Sequence, residues 1–211
     1  AILIALPFGL AVAVYMSEVA DHKIRNLMKP VIELLSGIPS VVYGFFGLIV
    51  IVPLLQRVFD LPVGESGLAG SIVLAIMALP TIITVTEDAM RNCPRAMREA
   101  SLALGASQWQ TIYKVVIPYS ISGITSGVVL GIGRAVGETM AVLMVTGNAA
   151  VIPHSILEPL RTIPATIAAE LGEAPAGGAH YEALFLLGVV LFFISLLINF
   201  TVEAVSSGKR K

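Results

Sequence analysis

The stretch RNCPRAMREASLALGASQWQTIYKVVIP (residues 91–118), followed directly by YSISGITSGVVLGIGRAVGETMAVLMV (residues 119–145), decides the fold. The first part is polar and basic, whereas the second part is apolar and carries only two charged residues, Arg134 and Glu138. An apolar segment of this length can cross a hydrocarbon core of roughly 30 Å. The pattern therefore predicts a water-exposed segment that leads into a membrane-spanning helix with two charges inside it.

The composition of the chain is that of an all-α, polytopic integral membrane protein. Of its 211 residues, 56% are hydrophobic and 13% are charged, about half the charged fraction of a typical soluble domain. We expect a single transmembrane domain over residues 1–211, and a sixth, N-terminal span in the full-length protein, because the chain begins inside an apolar run without an initiator Met. The five predicted spans cover residues 1–16, 38–55, 67–85, 119–145 and 183–202.

Three connecting segments also carry a structural prediction. Residues 18–33 alternate charged and apolar residues with a helical period, which predicts an amphipathic helix at the membrane interface. Residues 147–181 are rich in Gly, Pro and Ala, and their middle, 164–171, is predicted to form a short helix that caps or partly re-enters the membrane. Glu87 and Asp88, near the end of the third span, are predicted to pair with nearby arginines.

The distribution of Lys and Arg predicts the orientation. If residues 91–118 are cytoplasmic, ten of the 13 basic residues lie inside, only Arg57 and Arg161 lie outside, and Arg134 lies within a span. This asymmetry follows the positive-inside rule and places the C-terminus in the cytoplasm of a bacterial or archaeal plasma membrane. The ten are Lys23, Arg25, Lys29, Arg91, Arg95, Arg98, Lys114, Lys209, Arg210 and Lys211.

Several classes of function are excluded or disfavoured. A net charge of −1 argues against a nucleic-acid binder that works by bulk charge. The single cysteine, Cys93, excludes an internal disulfide and a Cys-based metal site. The three histidines are far apart and show no metal-ligand spacing, and the absence of a P-loop sequence argues against a nucleotide site of that type in this chain. No cofactor is expected.

Residues 95–104 are good helix formers, and Gly105 can supply the left-handed residue that ends a helix. The small side chains of Ala100, Ser101 and Ala103 would let the surface of another protein approach closely. Glu99 and Arg98 would pair with partner charges at the rim of such a contact. The segment is therefore interpreted as a docking helix rather than as an ordinary basic interfacial loop.

Arg134 lies near the middle of the fourth predicted span. A charge at that depth costs on the order of 3 kcal/mol, so it should be paired and should face protein or a water-filled path. Glu138, one helical turn further, is the predicted partner. We interpret the two charges, with the Thr139 hydroxyl as an added donor, as a transient anion site; a buried ion pair that only locks helix packing is the alternative.

Small residues recur on the same predicted helix. Gly123, Gly127 and Gly131 form a tandem small-xxx-small pattern, which favours close packing against another helix. Gly127 and Gly131 lie on one predicted stripe with the two charges, because Gly127, Gly131, Arg134 and Glu138 follow +4, +3, +4 spacing. The charges are therefore predicted to project into a helix–helix interface rather than toward lipid.

The basic segment resembles the E-A-A-x3-G-x9-I-x-L-P pattern of ABC-importer permeases, with Glu99, Ala100, Ser101 and Gly105 at the first positions. Ser101 stands where the pattern has Ala, Val115 where it has Ile, and Ile117 where it has Leu. The resemblance implies a coupling segment, about 91–118, whose helix docks into a cleft of the ATPase subunit.

Longer segments resemble the membrane subunits of phosphate ABC importers: SGIPSVVYGFFGL (36–48), LPTIITVTEDAM (79–90), residues 98–118 and GRAVGETMAVLMVTGN (133–148). Residues 140–148 and HYEALFLLG (180–188) are more similar to the C-type permease family, PstC, than to the A-type. The resemblance implies the type I ABC-importer permease fold. It also links Arg134 and Glu138 to transport, because an Arg and a Glu in this helix are so linked in that family.

The same resemblance implies a four-part importer of phosphate. The expected partners are a second, PstA-like permease, a PstB-like ATPase dimer and a PstS-like extracytoplasmic phosphate-binding protein. Three alternatives remain: a permease for another oxyanion such as sulfate or molybdate, an ion-coupled secondary transporter that uses Arg134 and Glu138 as a relay, and a sensor or scaffold that does not transport. Dependence on ATP rather than on ion gradients separates an importer from a secondary transporter.

Overall fold

The computed structural model describes residues 1–207, the last six of them, 202–207, by their backbone alone. The basic triplet used for the orientation, 209–211, lies outside the described residues. π-helical turns extend or link several helices: Tyr15–Val19 follows α1, Gly47–Ile51 joins α3 to α4, and Ile112–Val116 joins α7 to α8. The α-helices of the described part are α1 (Ile2–Val14), α2 (His22–Ser36), α3 (Ser40–Phe46), α4 (Val52–Val58), α5 (Gly67–Arg91), α6 (Arg95–Ala103), α7 (Gln108–Thr111), α8 (Ile117–Gly137), α9 (Met140–Val145), α10 (Ile163–Glu170) and α11 (Ala179–Ser207).

Five helical stretches of the described chain are long and apolar enough to cross a membrane, which confirms the predicted number of spans. Two connecting segments are helical as predicted: α2 is an amphipathic helix, at His22–Ser36 rather than 18–33, and α10 is the short helix of the long loop. Their placement at the membrane stays a prediction. The five stretches are Ile2–Val19, Ser40–Val58, Gly67–Arg91, Gln108–Gly137 and Ala179–Thr201.

The fourth span does not run to residue 145, and here the prediction was wrong. The helix begins earlier, at Gln108, and α8 ends at Gly137; Glu138 and Thr139 are not helical, and α9 starts at Met140. Glycine weakens a helix by about 1 kcal/mol relative to alanine, and Gly137 stands where α8 ends. Hydropathy alone does not register such an interruption, because the flanking residues are equally apolar on both sides.

The described helices fall into two compact units that divide α5 and α8 between them. The first unit consists mainly of Ile38–Met77 and Gly133–Leu197. At its centre α3 packs tightly on α9. The approach is so close that a Cβ atom on Gly44 would lie 2.9 Å from Ala141 Cα. Its buried apolar side chains are those of Tyr43, Val52, Leu55, Ala69, Val73, Met77, Ala141 and Val145.

The long loop of the first unit is held by hydrogen bonds to the start of α5. The N–H groups of Gly67 and Leu68 donate to the carbonyls of Glu158 and Ile156, at 3.1 and 2.7 Å, so donors that a helix start leaves unpaired are satisfied by the loop. Further along, Arg161 and His180 both pair with Glu170 of α10. The loop is therefore ordered by specific polar contacts.

The second unit consists mainly of Ala5–Gly37 and Ala78–Ile132 and contains α2, α6 and α7. Two buried clusters hold it together. One joins Met90, Cys93, Ile112, Val116 and Ile124; the other joins Ala13, Met16, Ile32 and Ile83. The amphipathic α2 thus contributes Ile32 to the core while Leu27 and Leu34 remain exposed.

Candidate functional site

The predicted docking helix is an exposed element that ends where it was expected to end. α6 covers Arg95–Ala103 and buries none of its residues. The φ angle of Gly105 is +85°, and a Cβ atom there would meet nothing within 4 Å. The glycine is therefore required by the left-handed backbone and not by crowding.

The face of α6 is apolar as well as charged. Glu99 and Ala100 are exposed, and so are the large side chains of Met97, Leu102 and Leu104, the last of them by 90%. Exposed apolar side chains rimmed by charge are typical of a protein–protein contact. This surface has the composition that a docking helix requires.

Two residues of the segment are used inside the chain. The Ser101 hydroxyl lies 2.9 Å from the Thr111 hydroxyl, and so ties α6 to α7. Arg98 donates to Glu18 at 2.9 Å and to the Met90 carbonyl at 2.8 Å. The expectation that Arg98 would pair with a partner protein was therefore wrong, because an acceptor of this chain already holds it.

The turn after α6 is shaped by a capping box. The Ser107 hydroxyl accepts a hydrogen bond from the Gln110 N–H at 3.3 Å, and the Gln110 side chain accepts one from the Ser107 N–H at 2.8 Å. This reciprocal pair satisfies two donors that the start of α7 would otherwise leave unpaired. The direction in which the chain enters the fourth span is fixed by these two side chains.

A buried carboxylate lies at the end of α5. Glu87 is 1% exposed and is surrounded by Arg25 at 3.1 Å, Lys29 at 2.8 Å and Arg91 at 3.6 Å. The pairing of Glu87 with arginines is confirmed. Lys29, which also pairs with the half-exposed Asp88, was missed, because it lies 58 residues away in sequence.

The pKa of Lys29 is raised in this cluster. Burial opposes the charged form, but hydrogen bonds to Asp88 and Glu87 and the attraction of both carboxylates outweigh it. A raised pKa means that the stabilisation is complete below the unfolded pKa of 10.5 and is lost as the pH rises through the folded value. The contribution of Lys29 to stability is therefore complete at neutral pH.

The three glycines of the small-xxx-small pattern in α8 lie against α5. A Cβ atom on Gly123 would approach Ala89 Cβ to 2.3 Å, and one on Gly131 would approach Ile82 Cγ1 to 2.6 Å, while Gly127 faces α5 between them. The two helices run antiparallel at this contact, since the order of partners along α5 is reversed. Only residues without a side chain allow this approach.

We predict that Gly123→Ala destabilises the protein by about 1–3 kcal/mol, because Ala89 Cβ is fixed to its backbone and cannot move aside. Gly133→Ala, on the same helix, is the matched control: its Cβ would meet nothing within 4 Å, and alanine favours a helix over glycine. Thermal unfolding of the purified permease in detergent measures both. Equal unfolding temperatures for the two variants would contradict the prediction.

The predicted charged stripe is divided by the interruption of the fourth span. Arg134 lies in the last turn of α8, and Glu138 precedes α9, where its carboxylate accepts a hydrogen bond from the Ala141 N–H at 3.2 Å. A cation is stabilised at a helix C-terminus and an anion at a helix N-terminus. Each charge therefore occupies the helix end that suits it, and Arg134 also interacts electrostatically with the Tyr43 phenol.

A cavity of about 460 Å³ lies in the first unit at the interruption. Gly137 and Thr139 line it together with residues of α10, of the turn that follows it and of α11, so the sequence-predicted Thr139 is exposed to it. The remaining lining is mostly apolar. Arg134 and Glu138 are not among the lining residues. No group of three or more potential metal ligands occurs in the described part of the chain.

Comparison with known proteins supports a transport role. The family described as "Binding-protein-dependent transport system inner membrane component" matches residues 5–211. "Probable ABC transporter permease protein YqgH" of Bacillus subtilis is 43% identical, over 99% of this chain and 67% of that protein. "Phosphate transport system permease protein PstC" of Mesorhizobium japonicum is 39% identical, over 94% and 66%. The chain spans about two thirds of the length of these relatives.

The fold is shared with solved ABC transporters. The inward-facing MetNI methionine ABC transporter aligns with a TM-score of 0.76 at 19% identity, over 100% of this chain and 89% of that one. A crystal structure of an amino acid ABC transporter aligns with a TM-score of 0.60 at 15% identity, over 98% and 87%. At these identities the likeness is one of fold alone.

Proposed function

Because the chain belongs to the family of inner membrane components of binding-protein-dependent transport systems, we propose that it forms half of the translocation pathway of an ATP-driven phosphate importer. It is a multi-span transport subunit with the type I ABC-importer permease fold, and not an enzyme. The substrate assignment is carried by the similarity, over 94% of the chain, to permeases named for phosphate transport.

The proposed assembly contains four kinds of subunit. A PstA-like permease supplies the other half of the pathway, a PstB-like ATPase dimer binds ATP, and a PstS-like extracytoplasmic protein delivers phosphate. This chain spans the plasma membrane with α6 and the C-terminus in the cytoplasm. The number of basic residues around α6 supports that orientation.

In this proposal α6 is the coupling helix. Its exposed apolar residues enter a cleft of the ATPase, and Glu99 contacts the rim. When ATP binding changes the cleft, the motion reaches the fourth span at its first turn, α7, because the Ser101–Thr111 contact joins α6 to α7 and the capping box fixes the start of α7.

We propose that the interrupted fourth span contacts the anion. Helix ends at membrane depth place unsatisfied backbone groups where a polar ligand can use them, and such interruptions are tolerated where they line a cavity or are buried in protein. Arg134 attracts the oxyanion, Glu138 prevents it from being trapped, and Thr139 donates a hydrogen bond from its hydroxyl.

Whether Arg134 and Glu138 also pair directly is tested by the double variant Arg134→Gln/Glu138→Gln. If they pair, its fold-reduction in uptake should be smaller than the product of the reductions in the two single variants.

The decisive experiment is ATP-driven uptake of labelled phosphate by the reconstituted four-part complex, with excess sulfate as competitor. Uptake that persists under sulfate supports the proposal. Uptake of sulfate but not of phosphate would leave the importer architecture intact and reassign the substrate. Uptake driven by an ion gradient without ATP would instead identify a secondary transporter, and the absence of any uptake would favour a sensor or scaffold.

We predict that Glu99→Lys and Gly105→Val each weaken association with the ATPase by about tenfold or more. The first reverses a rim charge, and the second places a branched side chain at a positive φ, which costs about 1–2 kcal/mol. Co-purification of the ATPase with the permease pair measures the effect. Glu173→Lys, which reverses an exposed charge in the long loop, is the control; unchanged association for Glu99→Lys and Gly105→Val would exclude α6 as the coupling helix.

A further inference from the structure

A cavity of about 300 Å³ opens next to α6 in the second unit. Four arginines line it: Arg25 from α2, Arg91 from the end of α5, and Arg95 and Arg98 from α6. The lining is predominantly polar, in contrast to the apolar cavities of the spans. This arginine cavity is not explained by the transport path, to which none of its residues has been assigned.

Two of the four arginines are held in place by carboxylates of this chain. Arg25 lies 3.1 Å from Glu87, and Arg98 lies 2.9 Å from Glu18. Their positions are therefore set before any ligand binds, which lowers the entropic cost of binding. Arg98 is further fixed by its hydrogen bond to the Met90 carbonyl.

The other two arginines are less completely neutralised by carboxylates of this chain. Arg91 approaches Glu87 only to 3.6 Å, and that carboxylate is already shared with two other cations. Arg95 is exposed and takes part in none of the ion pairs found among the described residues. The lining arginines and Lys29 are five cations, against three paired carboxylates, Glu18, Glu87 and Asp88.

A buried hydrogen-bond donor points to the same conclusion. The Nε atom of Arg98 is buried and has no hydrogen-bond acceptor among the described residues, although buried polar atoms in folded proteins almost always have one, whereas the Nε atom of Arg25 lies against Glu87. Two excess positive charges and an unsatisfied guanidinium donor favour an acceptor with several oxygens. A phosphate group meets that requirement, because its oxygens accept paired N–H donors from arginine.

We propose that the arginine cavity binds a phosphate group, either inorganic phosphate or the headgroup of an anionic lipid. Both sources can reach it. Exposed side chains such as His22 line the cavity, so a solute can enter it from water. The helix that supplies Arg25, α2, exposes Leu27 and Leu34 as an interfacial helix does, so a lipid headgroup can also reach the cavity. Bound phosphate would tie α2, α5 and α6 together, and so would stiffen the base of the coupling helix. The proposal makes no assumption about what the chain transports.

The test uses the purified permease with its partner permease and two probes. Equilibrium dialysis measures labelled inorganic phosphate, and native mass spectrometry measures retained phosphatidylglycerol against phosphatidylcholine. The variant Arg91→Gln/Arg95→Gln is compared with Arg57→Gln, an exposed arginine that does not line the cavity. We expect affinity to fall about tenfold for each cavity arginine removed, with Arg57→Gln unchanged.

The outcomes are distinct. Loss of phosphate binding in the double variant identifies inorganic phosphate as the ligand, whereas loss of phosphatidylglycerol identifies a lipid headgroup. Equal binding in the double variant and in Arg57→Gln, or no binding of either probe, overturns the proposal. Phosphate binding that is lost only in Arg134→Gln belongs to the transport path and also overturns it.

Two further features of the design keep the result interpretable. Arg95→Gln alone changes an exposed side chain that forms no ion pair within the described part of the chain, so the comparison remains available if the double variant is unstable. Arg95→Lys keeps the charge and should retain part of the affinity. Failure of ATP-driven uptake would not alter either binding measurement, so the transport proposal and this one are decided separately.

Discussion

Replacing Arg134 by Gln in the reconstituted complex is expected to lower ATP-driven phosphate uptake by about 10- to 100-fold. A hydrogen bond to a charged group contributes about 1.5–3 kcal/mol, and each 1.4 kcal/mol is a factor of ten. The variant removes the cation at the end of α8 and leaves Glu138, which repels an oxyanion. The loss of uptake should therefore be greater than the loss caused by removing one hydrogen bond to the anion.

The control for Arg134→Gln is Arg57→Gln, which removes a positive charge from the exposed last turn of α4. We expect this variant to transport at the rate of the unmodified protein. ATP hydrolysis should be recorded with uptake, because an intact complex that hydrolyses ATP without moving phosphate shows a defect in the path rather than in assembly. If Arg134→Gln transports normally, the anion path does not depend on this arginine.

The second large effect is expected on stability, from Glu87→Gln. Removing one partner from a buried ion pair costs about 3–5 kcal/mol, because the opposite charges remain without compensation. Here three cations surround the carboxylate, and their side chains are 15–41% exposed, so solvent screens part of the cost. We expect a loss of about 3 kcal/mol in the free energy of unfolding.

Asp88→Asn is the matched control for Glu87→Gln. Its carboxylate is 53% exposed and pairs, among the described residues, with Lys29 alone, and exposed ion pairs contribute about 0–1 kcal/mol. Thermal unfolding of the purified permease in detergent compares the two variants. If they unfold at the same temperature, Glu87 does not hold α2 against α5. A combined Glu87→Gln/Lys29→Gln variant should recover part of the stability, because it removes one of the uncompensated cations.

The two charge clusters differ in how far the sequence revealed them. Arg134 is conspicuous because an isolated charge in an apolar run needs an explanation. Glu87 lies among polar residues at the end of a span, and its main partners come from α2, about 60 residues earlier. Nothing in the local pattern distinguishes a buried Glu there from a solvated one.

Within a few residues, the coupling segment also combines features that the sequence predicts with features that it does not. The end of α6 at Gly105 and the start of α7 at Ser107 follow from the backbone preferences of those residues, and both were predictable. The use of Ser101 against Thr111, and of Arg98 against Glu18, was not. The expectation for Arg98 treated a charged residue as available to a partner protein, whereas Glu18 of the folded chain already pairs with it.

The sequence by itself determined the membrane-spanning helices, the amphipathic α2, the helix in the long loop and the limits of α6, because hydropathy, helical period and helix-ending residues act over one or two turns. Only the tertiary structure decided the interruption at Glu138 and Thr139, the burial of Glu87 and the arginine cavity. The interruption accompanies the close approach of α9 to Gly44 of α3 and the capping of α9 by Glu138. Such contacts join residues that are distant in the chain, and their free energy exists only once the helices have packed.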